Sequence, residues 1–288
     1  GAGLGIAGLL TYTAGIFAKD LEGEIGLSRT ALGGAFFGAT VALALALPLV
    51  GWLVDLFGPR WPALFGALAL AAGFAALGTA VETVPAYIGV MAAIGFFAAC
   101  SAPVAYARAV NAVFDRSRGL ALGLTQMGVG VAAMVVPPVL ALVVAEHGWQ
   151  TGYLALAAIA ALGIIPALAL RGGNEAVTRP ASNGGQLRSP LFLALLFAFG
   201  TMSLAFAGLL THFVPMLREA GVDAPTAGKI AGAIGASVIV SRLVVGWLAD
   251  RLEAPRIAAA CCGLCALGCL ALAWQGAAFA WIGAVALG

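Results

Sequence analysis

Very few side chains in this sequence can do chemistry, and Arg242 is the most isolated of them. It precedes Asp250 by two helical turns, about 12 Å at 1.5 Å per residue, inside an apolar run. A guanidinium presents a planar fork of N–H donors, so at such depth it can take a carboxylate through two parallel charge-assisted bonds. An interhelical pair with an acid elsewhere in the protein is the other use open to it. Arg108 stands two turns before Asp115 on one helix face. Its long side chain can snorkel to the adjacent loop or meet Asp55, which points to structural or gating use rather than ligand contact. Tyr12 and Tyr106 each offer a phenol that could bond a carboxylate or hydroxyl, or simply pack between helices. His212 titrates near physiological pH and could relay or sense a proton, or be held by a neighbour.

Other chemistries find no support. Cys262 and Cys265 form a C-x-x-C, and Cys100, Cys261 and Cys269 also lie in apolar runs. With no second such pair and no nearby histidine, packing is expected rather than metal or redox use. No G-x-x-x-x-G-K-[ST] phosphate loop and no H-E-x-x-H is present. An ATP-driven pump and a zinc enzyme are therefore not expected, and neither is any cofactor or metal.

The elements that must position these groups follow from composition. Of 288 residues, 62% are hydrophobic and 9% charged, with a mean hydropathy of +1.07. A soluble domain carries about 25% charged residues, so the expected class is an all-α polytopic membrane protein. Its first partner is the lipid bilayer. At about 20 residues per span, polar punctuation predicts spans from the start to Phe17 and over 30–54, 61–81, 85–113, 119–145 and 149–170. Further spans follow over 190–217, 226–249 and 257–274. The expected organisation is a six-helix bundle over 1–170, a polar linker over 171–189 and a partial second bundle over 190–288. Both ends of the chain read as lying inside apolar segments, so a longer protein is expected.

Alternate loops are basic. One set holds Arg60, Arg116, Arg118, Arg171, Arg179, Arg188, Arg251 and Arg256 against five acids. The other holds Lys19, Arg29, Arg218 and Lys229 against seven. Basic loops stay in the cytoplasm, so the linker is expected there, in what is expected to be a plasma (inner) membrane. The net charge of +2 gives no reason to expect a nucleic-acid partner. Gly51-Trp52-Leu53-Val54-Asp55 recurs as Gly246-Trp247-Leu248-Ala249-Asp250, each copy ending the second span of its half. Such repeats mark transporter folds built from two related bundles. Asp55 and Asp250 are each expected to cap the following helix or to pair with an arginine, latching one face shut. The glycines at 119 and 123, and at 228, 232 and 235, are spaced for close helix approach.

Gly51-x-Leu53-x-Asp55-x-x-Gly58-Pro59-Arg60 resembles the major facilitator superfamily motif between helices 2 and 3. Gly246-x-Leu248-x-Asp250-Arg251 resembles its counterpart between helices 8 and 9. Phe114-x-x-x-Arg118-Gly119-Leu120-Ala121-x-Gly123, Pro137-Pro138, Gly148-Trp149-Gln150, Thr211-His212-Phe213-x-Pro215 and Ser241-Arg242 are similar to the monocarboxylate and oxalate/formate branch. The resemblance implies a major facilitator fold of two pseudo-symmetric six-helix bundles, with most of helix 10 and helices 11 and 12 beyond this chain. It also implies that Arg242 binds a substrate carboxylate. A secondary transporter of a small organic anion, with or without a proton, working as a monomer, is the expected function. Arg242, Tyr12, Tyr106 and His212 are its expected binding residues. Gly51, Asp55, Gly58, Arg60, Arg108, Gly246, Asp250 and Arg251 are its expected gate. A drug or sugar carrier of the same superfamily and a transport-inactive receptor or scaffold are the alternatives.

Overall fold

A computed structural model describes residues 1–114, 117–170, 189–222, 224–273 and 277–287. Residues 171–188 of the expected linker and the His212 side chain lie outside what it describes. Helices account for nearly all of the described residues. The first six are α1 (Ile6–Thr13), α2 (Ala18–Ile25), α3 (Arg29–Phe57), α4 (Arg60–Thr79), α5 (Val84–Phe97) and α6 (Pro103–Val113). The rest are α7 (Arg118–Ala161), α8 (Ile164–Ala169), α9 (Pro190–Glu219), α10 (Ala224–Ala249), α11 (Ala254–Ala273) and α12 (Ala277–Leu287).

Local chemistry sets the boundaries. Ser28 caps α3 by accepting from Ala31 N at 3.1 Å, and Thr83 caps α5 in the same way from Ala86 N at 3.4 Å. Gly26, at φ 70°, ends α2 in the left-handed region where glycine pays no Cβ penalty. Inside the α7 range, Gly148 has φ 82° and ψ 168°, a conformation all but reserved for glycine. A Cβ at Gly152 would lie 2.5 Å from Val144 Cγ2. In a straight helix those residues would stand about 12 Å apart. The chain therefore doubles back at Gly148, giving the two expected spans on either side of it.

Two spans depart from expectation. The span predicted over 85–113 is broken: α5 passes through a 3-10 turn over Ala98–Ser101 before α6 begins at Pro103. Proline lacks an N–H and forces its predecessor out of the helical region, and Ala102 is extended at ψ 156°. The first span does not stop at Phe17. A 3-10 turn over Ala14–Phe17 leads into α2, an amphipathic turn of chain whose Leu21 is fully buried.

The chain divides into two compact units, Gly1–Asn174 with Arg242–Leu252, and Glu175–Ser241 with Glu253–Gly288. The core of the first packs Leu9, Phe17, Leu70, Phe74, Met91 and Leu140 around Tyr87 and Tyr153. Phe17 stacks on Tyr153 with centroids 3.9 Å apart, and the two tyrosine hydroxyls share a 2.9 Å hydrogen bond. At its edge Trp149 Nε1 donates to Glu24 Oε2 at 2.7 Å, tying α2 to the turn at Gly148. The second unit has its own core of Phe213, Leu217, Ile230, Ile234, Ala280, Ala284 and Leu287. Among the described residues, Arg29–Phe57, Arg60–Thr79, Val84–Asn111, Arg118–Ala169 and Ala254–Ala273 are long and apolar enough to cross a membrane. The 118–169 segment contains the break at Gly148.

Candidate functional site

The site is organised by one helix crossing. Gly119 and Gly123 on α7 face Gly246 and Arg242 near the end of α10, all within the first unit. A Cβ on Gly119 would come within 2.2 Å of Gly246 O, and one on Gly123 within 2.4 Å of Arg242 O. Only glycine lets the two backbones approach this closely. The glycine row on α10 behaves differently where it is described: nothing lies within 4 Å of a Cβ built at Gly235.

That approach carries Asp250 onto the start of α7. Gly119 N donates to Asp250 Oδ1 at 2.6 Å and Leu120 N donates to Oδ2 at 3.0 Å. Ser117, the N-cap, supplies no side-chain bond of its own. The carboxylate thus satisfies two of the N–H groups a helix start leaves open and sits at its positive end. The expectation that Asp250 caps the helix following it is corrected: it caps α7, because the glycine crossing brings that helix within reach. Asp55, its counterpart in the first motif copy, ion-pairs with Arg108 Nη1 on α6. Pro59, the α4 N-cap, provides no side-chain cap there.

The basic residues of the two copies turn to aromatic faces. Arg251 stacks over Trp247 at 3.8 Å from the ring centroid, and Arg60 lies 5.8 Å over Trp61. Both geometries suit cation–π attraction. Gly58, at φ 74°, releases the chain from α3 into α4, while Gly51 has open space around it.

Arg242 is half-buried, and its Nη1 donates to the main-chain carbonyl of Gln126 on α7. No carboxylate pairs with it among the described residues. Tyr106 is 6% exposed and lines a cavity of about 610 Å³ with Val110, Leu124, Thr125 and Gly128. That volume lies in the range of small-ligand pockets, about 300–1,000 Å³. Tyr12 is 41% exposed on α1 and does not line that cavity. The structure therefore brings Arg242 to α7 and Tyr106 to the cavity beside α7, without gathering Tyr12 to them.

Gln126 escaped the sequence reading. Its signal is an amide inside an apolar span, faint because a neutral side chain costs far less at depth than a charge.

Comparison with known proteins decides the family. The Major Facilitator Superfamily model matches residues 1–288. The chain belongs to the Major Facilitator Superfamily. It is 30% identical over 227 residues to the "Oxalate:formate antiporter" of Oxalobacter formigenes, covering 74% of this chain and 53% of that protein. An "Uncharacterized MFS-type transporter YcxA" of Bacillus subtilis (strain 168) is 28% identical over 215 residues, 70% of this chain and 52% of that one. "Monocarboxylate transporter 13" of Bos taurus is 26% identical over 227 residues, 76% of this chain and 50% of the relative. The chain spans about half the length of these curated relatives. As a major facilitator chain with several membrane-length apolar helices, it is an integral membrane protein. Within this superfamily chain the repeated G-x-L-x-D motif serves two contacts, one aspartate holding an arginine and the other a helix start.

Proposed function

We propose that this chain forms part of a secondary active transporter that moves a small organic anion, most simply a monocarboxylate, by alternating access. Coupling is by proton symport or anion exchange. The observation that carries the reading is Arg242: a guanidinium two turns before Asp250 in an apolar run, whose partner among the described residues is a neutral carbonyl. A charge at that depth costs several kcal/mol. A carbonyl dipole offsets only part of it, and an anionic substrate would supply the rest. An Asp or Glu at the same level would instead suit a cationic solute, and none pairs with Arg242 among the described residues. The names of the oxalate:formate antiporter and of the monocarboxylate transporter support the same substrate chemistry.

In this reading a carboxylate entering the pathway takes the fork of Arg242, and Tyr106 offers its hydroxyl from the adjoining cavity. The Asp250–α7 contact holds the cytoplasmic end closed and separates when the bundles rock, while Asp55–Arg108 ties α3 to α6 within the first bundle.

Uptake of labelled monocarboxylates into proteoliposomes tests the proposal. Arg242→Ala should abolish uptake. Arg242→Lys keeps the charge but loses the fork, and should lower kcat/KM by roughly 10- to 100-fold, the worth of one hydrogen bond to a charged group. Normal transport by Arg242→Lys would remove the bidentate assignment. No carboxylate uptake under any imposed gradient would remove the carrier reading for anions.

A further inference from the structure

Two buried side-chain polar atoms lack a partner among the described residues, Arg60 Nε and Gln126 Oε1. Arg60 begins α4 at a loop, whereas Gln126 lies inside the α7 span. A buried amide oxygen without a donor costs about 1–3 kcal/mol. Such an atom calls for a donor that the described residues do not bring.

Its position gives the orphan meaning. The two helices run antiparallel, Gly119 facing Asp250 and Gly246, Gly123 facing Arg242 and Gly246, and Gln126 meeting Arg242. Gln126 lies about 12 Å along α7 from its start, and Arg242 about 12 Å along α10 from Asp250. The two residues therefore stand at one level on facing helices. One offers charged donors and needs an anion; the other offers an acceptor and needs a neutral donor. A single small molecule meets both needs if it carries a donor on the carbon next to its carboxylate.

We infer that Gln126 is a specificity-determining residue. Its side-chain oxygen accepts a hydrogen bond from a hydroxyl or protonated carboxyl adjacent to the carboxylate that Arg242 holds. The inference rests on the anion-carrier reading and adds a second recognition element to it. Acids lacking the donor leave the orphan unpaired and are carried with poorer KM. A site built around such a bond discriminates against the analogue without it, because its own polar group stays unpaired.

The test compares labelled glycolate, acetate and oxalate in proteoliposomes containing the wild type, Gln126→Met or Gln126→Leu. A hydroxyl source predicts a glycolate KM about three- to tenfold below that of acetate at neutral pH, the range of one net neutral hydrogen bond. Both variants should erase the difference, bringing the glycolate-to-acetate KM ratio to about one. A protonated-carboxyl source predicts instead that acidification lowers the oxalate KM in the wild type and not in the variants, with glycolate gaining nothing. The inference is overturned if the wild type shows neither preference, a result that requires no variant to fold. It is equally overturned if either preference survives in both variants. Failure to carry any of the three acids defeats the anion-carrier reading itself, and this inference with it.

Discussion

Asp55 and Asp250 occupy the same place in a repeated motif, yet one holds the Arg108 guanidinium and the other two backbone N–H groups of α7. The second arrangement has a physical logic. An aspartate at the end of α10 faces that helix's own negative pole, and the positive start of α7 compensates for it. The carboxylate is exposed, so salt screens the charge and the contact is worth about 0.3–1 kcal/mol. Asp250→Asn should thus open the α7–α10 contact roughly two- to fivefold more often. The measurement is the labelling rate of Thr125→Cys, in a cysteine-free background, by an impermeant maleimide applied from the cytoplasmic side. The increase should shrink as ionic strength rises. Unchanged labelling at low salt would show that the cap does not hold the helices together. Arg242, Asp55 and Asp250 were legible in the sequence because a charge in or beside an apolar run is expensive and conspicuous. Gln126 was not, and neither was the difference between buried Tyr106 and exposed Tyr12, because burial is decided by the partner helices rather than by residue type.

At the scale of elements, Gly119, Gly123 and Gly246 fix how near α7 and α10 come. Spacing alone made the α7 glycines visible, and the same spacing also flagged Gly235, which has open space around it. The difference lies in the facing helix, which periodicity cannot supply. The reverse holds for the break between α5 and α6: Pro103 stands in plain view, but hydropathy counts apolar residues and is blind to a missing N–H. Gly123→Ala places a carbon against the Arg242 carbonyl, a backbone atom that cannot rotate away. Overpacking of this kind costs about 1–3 kcal/mol, so the closed contact should weaken about 5- to 150-fold. Thr125→Cys should then label faster at every salt concentration, unlike the Asp250→Asn case, and uptake should fall although the protein still inserts. Salt-dependent labelling in Gly123→Ala would mean that charge, not backbone proximity, governs the crossing.

For the whole molecule, orientation is the property that no contact reveals and that loop charge addresses. The set containing Arg60, the arginines of 171–189 and Arg251 carries eight basic residues, twice the four in the other set. Retention of basic loops in the cytoplasm is an insertion rule, counted on Lys and Arg close to the span ends. It also agrees with the expected chain parity, since the doubling back at Gly148 separates 119–145 from 149–170 and so fits six crossings before the linker. Parity and charge are independent, because one counts turns of the backbone and the other counts side chains. Together they predict that Ser182→Cys, in a cysteine-free background, reacts with an impermeant maleimide only after cells are permeabilised, whereas Glu82→Cys reacts in intact cells. The opposite pattern would invert the protein. It would place the Asp250–α7 and Asp55–Arg108 contacts on the external face and make the first of them part of an outer gate. Labelling of both positions in intact cells would break the parity itself, because it requires an even number of crossings among 85–113, 119–145 and 149–170.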